Sequence, residues 1–159
     1  MNILTVNLLF STFIFWVAAR IYLLPRLHAL KPQTVLIPIL LLHSTRHLGL
    51  MFLSQGATYT GIPPQFAYPA AFGDLLAAVL ALAAVFFLAR NVKGGRLVVW
   101  VFNVVGTLDL FAAIALATLY DAEPYMGPAY WIPALWVPAL LVTHYITFVM
   151  LWKHWTREI

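Results

Sequence analysis

Apolar residues run along this chain in five blocks, separated by short stretches rich in charge, proline or glycine. A helix needs ~20 predominantly apolar residues to cross a bilayer, and each block meets that length, so five spanning helices are predicted. They cover about 3–24, 34–54, 67–89, 97–119 and 130–152. Pro25-Arg26 and Lys31-Pro32 bracket the first loop, because a residue that precedes proline is pushed out of helical geometry. Gln55 to Phe66 holds Gly56, Gly61 and Pro63-Pro64 and reads as a second loop. Asn91 to Arg96 is a tight basic turn, and Asp121 to Tyr130 an acidic loop. In the third block Gly73, Ala77, Ala81 and Ala84 recur at three- and four-residue spacing, which lets a neighbouring helix approach closely. In the fifth, Pro138 removes the hydrogen bond to the Ala134 carbonyl, so a kink is expected there.

Composition turns that pattern into a class. The chain is 64% hydrophobic and 9% charged, against about 25% charged residues in a soluble domain. The expected fold is therefore an all-α, polytopic membrane bundle of five transmembrane helices, forming a single domain over residues 1–159. Its first partner is the lipid bilayer. The net charge of +4 is no nucleic-acid signature, because the basic residues fall at the ends of apolar blocks rather than in a run with aromatics. With no cysteine, disulfides, thiolate metal sites and cysteine nucleophiles are excluded. The first block lacks the basic leader of a signal peptide and is long enough to span, so it reads as a retained helix.

The lysines and arginines set an orientation. Arg20, Arg26 and Lys31 lie between the first two blocks, Arg90, Lys93 and Arg96 between the third and fourth, and Lys153 and Arg157 after the fifth. The two opposite loops carry none, while Asp121 and Glu123 lie in one of them. The positive-inside rule then predicts the N-terminus outside and the C-terminus in the cytoplasm, with a bacterial inner membrane as the expected location. Tyr59, Tyr68, Tyr120, Tyr125, Tyr130 and Trp131 suit the outer interface, and Trp100, Trp152 and Trp155 the inner one.

Against this apolar background the second block is unusual. His43, Arg46 and His47 are spaced i, i+3 and i+4, so on an α-helix they share one face. A charged group in hydrocarbon costs at least ~2.5–3.5 kcal/mol, so that face needs partners. At ~1.5 Å of rise per residue, two layers emerge. An upper layer holds Arg46, His47, Asp74 and Asp109; a lower one holds His43 and His144, with Asn103 beneath. Two aspartates against one arginine leave one negative charge, to be matched by a protonated His47, a bound cation or a carboxyl proton.

Three function classes follow. In the first, these seven residues form a site that binds or transports a small anionic or protonatable ligand, or protons. Five helices are few for alternating access, so transport predicts a homo-oligomer. In the second, a His/Asp pair performs acid–base chemistry on a lipophilic substrate. In the third, with His43, His47 and His144 as the candidate ligands, His43 and His144 are axial haem ligands, or His43 and His47, at i and i+4, join Asp74 or Asp109 around a metal; Arg46 beside the site disfavours a cation unless it pairs elsewhere. The plain alternative is that the Arg–Asp pairs hold helices together. Size and span count resemble the translocator-protein family of tryptophan-rich ligand binders and the five-span sterol isomerases, a likeness of architecture in which neither family's motifs fall on residues of this chain.

Overall fold

The computed structural model describes residues 3–155, so Arg157, the last basic residue of the charge count, lies outside them. Five helices are long and apolar enough to cross a membrane: α1 (Ile3–Arg26), α2 (Pro32–Leu53), α3 (Pro64–Ala89), α4 (Gly95–Leu119) and α5 (Gly127–His154). Proline opens α2 and α3 within the first turn, where its missing N–H costs nothing. Gly94 makes the sharp turn into α4 in the left-handed region, at φ 93°, which a side chain rarely adopts.

Three of the helices change gauge part-way. α1 ends in a π segment, Ala19–Leu23, and a short 3₁₀ turn, Leu24–Arg26. α2 is α-helical over Pro32–Ser44 and then tightens into a 3₁₀ helix over Thr45–Leu53. α5 passes through a π segment at Ile132–Trp136, immediately before Pro138, in which the Val137 N–H donates to the Ile132 carbonyl. The proline that cannot bond to Ala134 is thus accommodated by a locally widened turn. α5 widens again at Met150–His154.

α3 lies between α2 and α4, and the alanine stripe explains why: Ala77, Ala81 and Ala84 are completely buried. Phe72, Leu76, Val79, Leu82 and Phe86, on the opposite side of the same helix, are exposed. α5 packs on α4, α2 and α1. α1 leans chiefly on α5, and its Phe10, Phe13, Ile14 and Trp16 are exposed.

Hydrogen bonds between loops define the two ends of the bundle. At one, Gln33 donates to Asn91, and Arg96 donates to the Leu151 carbonyl. At the other, the Tyr59 N–H donates to the Tyr125 carbonyl (2.8 Å) and the Ala129 N–H to the Ala57 carbonyl (2.9 Å). The Leu4 N–H there donates to Glu123 (3.1 Å), and Asn7 donates to the Tyr130 hydroxyl (2.9 Å). The first end gathers Arg26, Lys31, Arg90, Lys93, Arg96 and Lys153; the second holds Asp121 and Glu123. We call them the basic and acidic ends.

Apolar packing is divided accordingly. Leu36, Leu40, Ala81, Leu88, Val99, Phe102, Ile146 and Met150 belong to one large cluster toward the basic end. Phe52, Phe66, Ala70, Met126 and Ala134 belong to a smaller one toward the acidic end. On α2, α3 and α4 the buried polar residues lie between the two; on α5, His144 and Thr147 lie among members of the larger cluster.

Candidate functional site

Arg46 is fully buried and is the hub. Its Nε donates to Asp74 Oδ1 (2.7 Å) and its Nη2 to Asp109 Oδ2 (2.5 Å), joining α2 to α3 and α4. Nη1 donates to the Gly106 carbonyl (3.1 Å) and meets His144 Nε2 (3.3 Å). Four of its five N–H groups are therefore engaged.

The rest of the network fixes the imidazoles. Arginine can only donate, so His144 Nε2 is an acceptor and the ring proton sits on Nδ1. That proton goes to Asn103 Oδ1 (2.7 Å), while Asn103 Nδ2 donates to the His144 carbonyl (3.3 Å). His43 lies against His144, with ring centroids 4.2 Å apart, and Phe102 walls off both rings. Thr143 donates its hydroxyl back to the Ala139 and Leu140 carbonyls, so it accepts from His43 Nε2 (2.9 Å). His43 Nδ1 is left buried with no hydrogen-bond partner among the described residues.

Six of the seven residues singled out in the sequence thus meet, and the two layers fuse through the Arg46–His144 contact. His47 does not join them. Its side chain is exposed, with Nδ1 bonded only to the Ser44 carbonyl (3.1 Å). The reason is the change of gauge in α2. In a 3₁₀ helix residues three apart eclipse one another, so His43 and Arg46 align while His47 rotates a third of a turn away. The expected match of the surplus negative charge by His47 is therefore lost.

Three glycines make the space. A Cβ on Gly49 would collide with the Asp74 carboxylate, and one on Gly73 with the Asp109 carboxylate. On Gly106 it would stand 2.8 Å from His144 Cε1 and 2.9 Å from Arg46 Nη1. In the sequence Gly73 stands out only as part of the small-residue stripe, and Gly49 lies outside that stripe. The available signal was spacing: Gly49 follows Arg46 by one turn, and Gly106 precedes Asp109 by one turn.

A cavity of about 510 Å³ opens between α1 and helices α3 and α4 toward the acidic end. Leu4, Leu8, Phe66, Leu110, Ala113 and Ile132 are among its walls; Asp74 lines it, as do Asp121 and Glu123. A second hollow of about 440 Å³ lies under the α2–α3 loop, lined by Phe52, Thr58, Tyr59 and Tyr68.

With this geometry in hand, residues 3–152 match the family described as a domain of unknown function, DUF8737. The chain belongs to that family. The DUF8737 match takes in every residue of the cluster and the cavity. No curated protein and no solved structure matches the chain.

The DUF8737 cluster does not suit a metal or haem. Among the described residues no three His, Asp or Glu side chains are placed to hold an ion. Asp74 Oδ1, Asp109 Oδ2 and His144 Nε2 are each taken up by an Arg46 N–H, so none of these three atoms is open to a metal ion. A metal ion stands about 2 Å from an imidazole nitrogen. A haem would have to pass between His43 and His144, whose rings are already in contact.

Proposed function

We propose that this DUF8737 protein is an integral protein of a cytoplasmic membrane, with its basic end inside and its acidic end, including the start of α1, outside. The segregation of basic residues supports that orientation. So do the exposed aromatic residues near both ends, Tyr59 and Trp131 at one and Trp152 at the other. The Arg46–Asp74–Asp109–His144 cluster serves as an intramembrane site for a small protonatable molecule or for protons, reached from the outer side.

The observation that carries this reading is the charge count around Arg46. One guanidinium faces two carboxylates, and the nearest histidine presents a bare nitrogen rather than a charge. One negative charge in a low-dielectric setting remains, and a proton or a cationic ligand has to match it. An anionic ligand, the other half of the sequence expectation, is disfavoured: the arginine that would hold it is already engaged by two carboxylates, a carbonyl and an imidazole.

Infrared spectra of protein carrying isotope-labelled aspartate, in lipid nanodiscs, test the reading. Expected is a band from a protonated aspartic acid that Asp74→Asn or Asp109→Asn removes and Asp121→Asn leaves. Spectra in which Asp74 and Asp109 are both carboxylates at neutral pH would make the cluster a structural clasp only.

A further inference from the structure

We infer that the cavity between α1 and α3/α4 binds a hydrophobic amine, with its ammonium group on Asp74 and its apolar body among the α1 and α4 side chains. The inference rests on the protonatable-ligand reading above and adds the chemical class of the ligand.

Size comes first. At about 510 Å³ the cavity falls within the range of small-molecule sites, roughly 300–1,000 Å³. Charge comes second. The ionisable residues that line it are Asp74, Asp121 and Glu123, with no lysine, arginine or histidine among the lining residues. Glu123 is engaged by the Leu4 N–H at the start of α1. Asp74 is the carboxylate on the buried side: it is 8% exposed, and Arg46 Nε binds its Oδ1. Asp74 Oδ2 has no hydrogen bond among the described residues; it stands against the Cα of Gly49 on α2, and an ammonium reaching it has to come in beside that glycine.

A carboxylate with one free oxygen, in a cluster carrying a surplus negative charge and bordering an apolar cavity, is complementary to an ammonium group on a hydrocarbon frame. A carboxylic acid would bring like charge to like. A neutral alcohol would leave the surplus unmatched. The same walls would accept a lipid chain, which contacts no carboxylate, and the test separates the two.

The probes are phenylbutylamine, phenylbutanol and phenylbutyrate, titrated calorimetrically into the full chain in nanodiscs. The amine is expected to bind at least about tenfold more tightly than the alcohol, with no measurable binding of the acid. Asp74→Asn should remove the amine's advantage and Asp74→Glu restore part of it. Ala113→Trp, which fills the cavity from α4, should abolish binding; it decides the matter if the Asp74 variants do not fold. Equal binding of amine and alcohol, or amine binding that survives Ala113→Trp, overturns the inference. Because the infrared experiment reads the proton directly, a protonated aspartate together with no amine binding would sink this inference and leave the site reading in place.

Discussion

The two halves of the bundle solve the problem of holding helices together by different means. Toward the basic end, α2, α3, α4 and α5 meet through aliphatic side chains and an alanine stripe, with Leu36, Leu40, Ala81, Ala84, Val99 and Met150 almost wholly excluded from solvent. Toward the acidic end the apolar clusters are smaller and a cavity intervenes. There α2, α3 and α4 are joined by ion pairs on one arginine, which also reaches α5 through His144. Close packing is insensitive to charge, whereas the polar half holds only while its charges are matched. A site that responds to protons or ligands is better placed in the second half, where the joint itself can change state.

The contrast can be broken by substitution. Arg46→Met should have the severest consequence, about 3–5 kcal/mol of lost stability, because it strands the buried carboxylate of Asp74 and the half-buried one of Asp109. Unfolding of the purified protein by denaturing detergent measures it, and a loss no greater than that of a core alanine variant would show that the ion pairs are dispensable. Gly106→Ala should cost about 2 kcal/mol, since the new methyl displaces Arg46 Nη1 or the His144 ring. Ala84→Leu in the packed half should cost about 1–2 kcal/mol by separating α3 from its neighbours, and that loss should be the same in acid and alkaline buffer. Ala117→Leu, which projects into the cavity, should change stability by less than about 0.5 kcal/mol. If Ala117→Leu proves as costly as Ala84→Leu, the acidic half is as tightly packed as the basic one and the comparison fails.

Much of the architecture was legible because membrane-length apolar blocks leave few alternatives; the spans expected at about 67–89 and 97–119 compare with Pro64–Ala89 and Gly95–Leu119. Depth counting put Arg46, Asp74 and Asp109 at one level, and they are joined there. What failed to show was helix gauge. Nothing in Thr45-Arg-His-Leu-Gly announces a 3₁₀ segment, so His47 was assigned to a face it leaves. Pro138 signalled a disturbance in α5 without revealing that it takes the form of a π turn. The cavity was invisible for a different reason: it arises where α1 fails to meet α3 and α4, and a missing contact has no residue pattern.

That position of α1 also bears on how the molecule is assembled. Its main packing partner is α5, and its terminal tethers run from Leu4 to Glu123 and from Asn7 to Tyr130, across more than a hundred residues of sequence. During synthesis α1 therefore lacks its main docking surface until α5 follows it. In a membrane it would wait in lipid, beside the growing bundle, while α2, α3 and α4 join through their near neighbours. Shortening the interval, by moving α1 to follow α5 in a circularly permuted chain, would turn the slowest encounter into a local one.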